Sequence, residues 1–292
     1  MRRLLARPGA VFSIVILSVI ALAALAAPLI ADAFGYDVTE TDLLARYEPP
    51  SLAHWLGTDE VGRDVLLRML YGARVSIAVG LVAALLAAII GTAIGLLAGW
   101  FGGRIDVLLM RFTDGVIALP LLPLLIVLAA VDLRKIGLPQ WIVNGEQISL
   151  YRIIVITALV GWTTVARLVR GQTLALRARD FVRSAIAMGA GPLRIMIVHI
   201  LPNAISPIVV ATTLAVGNII LFESVLSFLG LGIQPPLPSW GNMLSNAQET
   251  IWQSPLLAVY PGMLILITVA CCNLLGDALQ AAYDPRRRLR TA

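Results

Sequence analysis

Side chains that ionise, attack or ligate are scarce in this sequence, and few of them stand in a chemical pattern. A phosphate-cradling glycine loop ends on lysine followed by serine or threonine, but the single lysine, Lys135, precedes Ile136. His54 and His199 are far apart, and no His-Glu-x-x-His or nucleophile elbow occurs. Cys271 and Cys272 are adjacent within an apolar run, which suits packing and neither a disulfide framework nor a zinc site. The chain is therefore expected to carry no catalytic residue, no metal and no cofactor of its own. Asp114, Arg167, Arg170, Glu223 and Asp277 do need a reason, because each falls near or inside a long apolar run. Such groups are costly in hydrocarbon and turn to a protein interior or to water. For Arg167 and Arg170, near the end of a run, snorkelling to the membrane edge is the simpler expectation.

The elements that must position these groups are membrane helices. Hydrophobic residues make up 59% of the 292 and charged residues 13%, too little polarity to cover a soluble globule. Six apolar runs, Val11–Ile30, Val75–Gly99, Val107–Val131, Ile153–Leu176, Ile200–Phe222 and Leu257–Ala281, each reach the roughly 20 residues that a membrane-crossing helix needs. The architecture is predicted to be all-α with six transmembrane helices. The first run follows Arg2, Arg3 and Arg7 and precedes the small residues Ala24–Ala27, as in a signal peptide, but its length favours a retained span.

Six crossings put both termini on one side. Arg2, Arg3 and Arg7 at one end, Arg286, Arg287, Arg288 and Arg290 at the other, and Arg104, Arg177, Arg179, Arg183 and Arg194 between runs mark that side as cytoplasmic. The stretch from Glu223 to Pro255 on the outer side has no Lys or Arg. The net charge of +5 thus reflects membrane orientation, and nucleic acid is not an expected partner. Within the runs, Ala83, Ala87, Gly91, Gly95 and Gly99 repeat every fourth residue and make a helix face that another backbone can approach closely. Its mate is open, in this chain or in another. Pro120 and Pro123 predict a kink in the third run. After Thr58, Val61, Val65 and Met69 recur at helical spacing, with Asp64 and Arg68 placed to pair; an amphipathic helix on the outer interface and a packing helix leading into the second span both fit. The outer loop with Pro235, Pro236, Pro238, Trp240 and Trp252 suits either the headgroup layer or an outer partner.

Asp180 to Asn203 interrupts the apolar pattern. Asp180 is a good N-cap, Phe181, Ala185 and Met188 form a stripe, and Gly189 ends the helix. Gly191 and Pro192 restart the chain, Leu193, Ile197 and Leu201 form a second stripe, and Pro202 is predicted to close it. The result is either a stiff knob whose apolar side sits in a partner's groove or a plain connection.

The spacing of Ala185, Gly189 and Ile200-Leu201-Pro202 resembles the cytoplasmic motif, often called the EAA loop, of permease subunits in bacterial binding-protein-dependent ABC importers. His54-Trp55-Leu56-Gly57-Thr58-Asp59, Gly62-Arg63-Asp64, Tyr71-Gly72-Ala73-Arg74 and Ser227-Phe228-Leu229-Gly230-Leu231-Gly232 resemble its peptide and nickel branch. Arg183 and Ser184 depart from the motif, which has Glu and Ala there. The resemblance implies a type I, MetI-like permease fold in the bacterial inner membrane. It divides the chain into an outer N-terminal segment, 1–74, a permease domain, 75–282, and a basic tail, 283–292.

It also implies partners: a homologous permease subunit in a heterodimer, two ATP-binding subunits that hold ATP and Mg, and a periplasmic or lipoprotein solute-binding protein. Arg183, Ser184, Ala185, Met188, Gly189, Ala190, Leu193, Arg194 and Pro202 would dock an ATPase, and Glu223, at the outer end of its span, would stand where a solute comes in. The solute class implied is dipeptides or oligopeptides, with nickel as the alternative in the same branch. A self-sufficient channel or secondary transporter is the rival of another class; an intramembrane enzyme is disfavoured by the lack of paired catalytic residues.

Overall fold

The computed structural model of the chain describes residues 7–132, 135, 139–143, 145 and 147–283. The sequence readings that rest on Arg2, Arg3, Arg286, Arg287, Arg288 and Arg290 lie outside these residues. The described chain is helical: α1 (Pro8–Phe34), α2 (Val65–Phe101), α3 (Gly103–Ala118), α4 (Leu121–Ala130), α5 (Ile148–Arg177), α6 (Asp180–Ala187), α7 (Pro192–Phe228), α8 (Trp240–Thr250) and α9 (Leu256–Tyr283), with a single turn at Gln140–Val143. Among the described residues, α1, α2, α5, α7 and α9 are long and apolar enough to cross a membrane, and α3 with α4 brings the crossings to six as one span bent by 88°.

That bend sits where the sequence puts it. Leu119 and Pro120 are in extended backbone, because proline's ring excludes helical geometry from the residue before it and its nitrogen cannot donate. Pro123 falls within the first turn of α4, where the amide hydrogens have no helical acceptor to lose.

The centre of the bundle is the contact between α2 and α5. A Cβ added to Gly91 would stand 2.5 Å from the carbonyl oxygen of Trp162, one on Gly95 2.6 Å from that of Ala166, and one on Gly99 2.6 Å from Thr173 Cβ. Ala83 and Ala87 are buried on the same face. The mate of the small-residue face is therefore α5 of the same chain, and the two backbones nearly touch.

The outer segment differs from the surface-helix expectation. No separate amphipathic helix forms: Val61 lies in a turn, and α2 starts at Val65 and crosses residue 74 unbroken. Asp64 and Arg68 do not pair. Asp64 caps α2 by accepting the Leu67 N–H at 2.8 Å, and its second oxygen meets His54 Nδ1 at 2.9 Å. Arg68 is buried and turns to Asp59 at 3.3 Å, which also takes Arg63 at 2.8 Å. Capping an orphan helix amide satisfies a group that burial would otherwise strand, so Asp64 is held by its own helix end.

The α2–α5 contact leaves no room for a side chain at Gly91. Gly91→Leu should cost at least about 1–3 kcal/mol through overpacking, read as a lowered thermal midpoint of the purified protein. Gly115→Ala, inside α3 where an added Cβ meets nothing within 4 Å, should not lower the midpoint and should raise it slightly, because alanine is the better helix former.

Candidate functional site

Two features of one end of the bundle are built from elements already placed: a projecting knob and a cavity beside it. The knob is α6 with the start of α7. The sequence reading of Asp180 as N-cap is not met: Arg179 holds the N-cap position without a side-chain bond to the helix, and Asp180 is the first residue of α6, where a carboxylate favours the positive end of the helix dipole. At the other end Gly189 takes φ +83°. Its N–H donates to Ile186 O at 2.9 Å, and the Ala190 N–H donates to Ala185 O at 3.0 Å. This bond pair is the Schellman turn, which needs the left-handed residue that glycine supplies without strain. Pro192 then opens α7.

Pro202 does not close the second helix, contrary to the sequence reading. Ile195–Ile200 widen into π turns, and the helix continues through Leu201 and Pro202 to Phe228. A residue lacking N–H is accommodated where the bonding register is already shifted. The knob and the fifth apolar run are therefore one continuous helix.

The knob has two unlike sides. Val182 and Ala185 are buried, and Val182 packs in the cluster that holds Leu96, Val165, Val169, Ile195 and Ile200. Outward stand Met188, 81% exposed, and Leu193, 67% exposed, with Arg183, Ser184, Gly189, Arg194 and Pro202 also exposed and Ala190 half-buried. Ala185 thus belongs to the inner side, apart from Met188, with which the sequence grouped it. Helical phase explains this, because Met188 lies beyond the last residue of α6.

The cavity, of about 1210 Å³, is bounded by the α3–α4 bend, α5, α7 and α9. Far from the knob its wall is mainly apolar, with Leu121, Leu125, Ile219 and Phe222 beside Thr157 and Asn218; toward the knob it carries Gln172, Asn203, Asp277, Gln280 and Tyr283. Pro207 in α7 cannot donate to the carbonyl of Asn203, and both residues line the cavity. A freed carbonyl at membrane depth is tolerated where it borders such a space.

Arg167 and Arg170 are not left to snorkel. Arg170 holds Asp106 through two bonds of 2.5 and 2.6 Å, and Arg167 holds Asp114 at 2.5 Å. Both pairs fasten α3 to α5. Thr113 is the buried residue of α3, and Val116 and the Phe112 ring, stacked on Trp162, add packing to the ion pairs that hold that helix. Asp106 and Asp114 lie about two turns apart on one helix, a spacing that could have flagged a charged seam from sequence.

Glu223 is placed differently from a residue at a solute mouth. It is wholly buried and absent from the cavity wall, although its neighbour Phe222 is on it. Its carboxyl oxygens accept from Ser76 Oγ at 3.1 Å and Ser227 Oγ at 2.7 Å. Ser76 Oγ accepts the Trp240 N–H at 3.3 Å, and Trp240 Nε1 donates to Met69 O at 3.1 Å. The carboxyl therefore joins α2, α7 and α8. Trp240, read as part of an outer aromatic surface, is fully buried, whereas Trp252 is 95% exposed.

With this geometry in view, the comparisons are consistent. The family described as binding-protein-dependent transport system inner membrane component matches residues 91–289, and the N-terminal TM domain of oligopeptide transport permease C matches residues 1–50. The oligopeptide transport system permease protein OppC of Bacillus subtilis is 38% identical over 279 residues, covering 96% of this chain and 86% of the relative. OppC of Escherichia coli K12 is 39% identical over 287 residues, 98% of this chain and 90% of its own. The dipeptide transport system permease protein DppC of Alkalihalophilus pseudofirmus is 38% identical over 279 residues, 96% of this chain and 86% of its own. An inward-facing MetNI methionine ABC transporter structure aligns with a TM-score of 0.54 at 18% identity, over 75% of this chain and 97% of that one. It shares the fold. The chain belongs to the binding-protein-dependent transport system inner membrane components, in the oligopeptide permease C branch, and is a multi-pass protein of the inner membrane.

Proposed function

We propose that this chain is one permease subunit of an ATP-driven, binding-protein-dependent importer, forming half of the transmembrane path for dipeptides or oligopeptides. ATP would be bound and hydrolysed by two cytoplasmic partner subunits, with the knob at 180–203 docked into one of them. A homologous permease would complete the path, and an external solute-binding protein would deliver the solute. The charge distribution of the sequence supports a cytoplasmic knob and cytoplasmic termini.

The observation that carries this reading is the two-sided build of the knob. Its inner face is set into the bundle by Val182, with Ala185 buried beside it, while Met188 and Leu193 stand out with none of the described residues over them. A docking element that transmits work must be stiff, because shifting a two-state gate from 1:99 to 99:1 takes roughly 5.5 kcal/mol. The Schellman turn and the continuous α7 supply that stiffness. The names of the relatives supply the peptide class, and the adjoining cavity, lined by parts of five helices, supplies room for a solute.

The test is co-purification from the native membrane. Met188→Asp with Leu193→Asp should release the ATPase subunits, since an interface anchor is worth about 2 kcal/mol or more, with the thermal midpoint of the chain unchanged. ATPases that stay bound to the double variant, with transport intact, would show that the knob is only a connection. A second outcome follows from Gly189, where an added Cβ meets nothing within 4 Å but φ is +83°. Gly189→Val should impose about 1–3 kcal/mol of backbone strain and uncouple ATP hydrolysis from transport. Gly189→Asn, which tolerates the left-handed region, should retain coupling.

A further inference from the structure

One ionised side chain lies on the cavity wall among the described residues: Asp277, in the last two turns of α9 at the knob end. It is exposed to the cavity and has neither an ion pair nor a hydrogen bond among the described residues. The basic side chains of α5 do not neutralise it. Arg167 and Arg170 are taken by Asp114 and Asp106, and Arg177 donates to Trp100 O at 2.7 Å with its guanidinium 5.4 Å from the centre of that indole ring. The polar neighbours of Asp277 on the wall, Gln172, Asn203 and Gln280, carry no charge.

Amide side chains can hydrogen-bond any peptide backbone and do not discriminate by charge. A lone carboxylate in a walled cleft does, because low-dielectric walls concentrate its field on whatever passes. We infer that Asp277 is a specificity-determining residue of the path, where its carboxylate meets a cationic group of the translocated solute: the terminal ammonium of a peptide or a basic side chain. This rests on the function proposed above. Acidic solutes meet repulsion at the same point.

The experiment uses the complete transporter in liposomes and measures uptake of four tripeptides: lysine-containing, neutral, glutamate-containing, and neutral with an acetylated amino terminus. Asp277→Asn, which keeps the shape and removes the charge, should lower uptake of the cationic peptide relative to the acetylated neutral one by about 3–10-fold. It should raise relative uptake of the acidic peptide. Asp277→Glu should restore the original order, and the preference should shrink in high salt. If free neutral peptides are sensitive to Asp277→Asn and the acetylated one is not, the group held is the terminal ammonium. If the lysine-containing peptide alone is sensitive, it is the side chain. An equal loss for all four peptides would make Asp277 structural and overturn the inference. So would a chain shortened by residues 284–292 that reproduces the Asp277→Asn pattern, since the carboxylate would then serve the basic tail. Wild-type transporter that moves none of the peptides overturns the proposed function itself, whereas peptide uptake blind to charge overturns only the role of Asp277.

Discussion

Everything in the bundle depends on how closely α2 and α5 approach. Lipid offers no hydrophobic gain for pressing two apolar helices together, so the contact must come from van der Waals packing over a surface with nothing in the way. Gly91, Gly95 and Gly99 remove the side chains that would hold the axes apart, and the carbonyls of Trp162 and Ala166 take up the room. The remaining helices are arranged around this pair. α7 lays Ile220 against Gly80 of α2 and Cys272 of α9 against its own Gly217, which extends the same close packing outward.

Polar groups are spent where apolar packing gives out. At the far end, Glu223, Ser76, Ser227 and Trp240 bind three helices through hydrogen bonds in a fully buried setting. A broken network there would strand polar atoms at a cost larger than the gain of any single bond. Nearer the knob, Arg167 and Arg170 fasten α3, whose outer face presents Val107, Leu108 and Phe112 to the surroundings. The two ends are thus joined by different forces, a carboxyl gathering hydroxyl donors within the core at one and Arg–Asp pairs between α3 and α5 at the other.

Most of the local architecture was legible in the sequence. Apolar run lengths marked the crossings, the four-residue repeat marked the face that α5 fills, and Gly189 marked the turn, because each signal acts over a few residues. The failures share a cause. Pro202 reads as a terminator only if every turn of a helix is an α turn, and the π stretch at Ile195–Ile200 removes that premise. Asp64 and Arg68 stand at pairing distance along a helix, but a cap and Asp59 compete for them. Glu223 meets Ser76 across 147 residues of sequence, and no local pattern reports a partner that distant. For the candidate site, Met188 and Leu193 were readable as knob residues, but that Ala185 points inward required the phase of α6.

The continuity of α7 has a mechanical consequence. As a helix of 37 residues it is a rod of roughly 55 Å, with the knob at one tip, the cavity along its flank and the Glu223 hub near the other tip. A rod that long is a lever: pivoted at the hub, a tilt of about 5° carries the knob tip by about 4 Å, most of the pitch of one helical turn. The π turns shift the bonding register of that rod, and they lie between the tip and the cavity wall. That location sets how much of a push at the tip is delivered to the wall and how much is lost as bending.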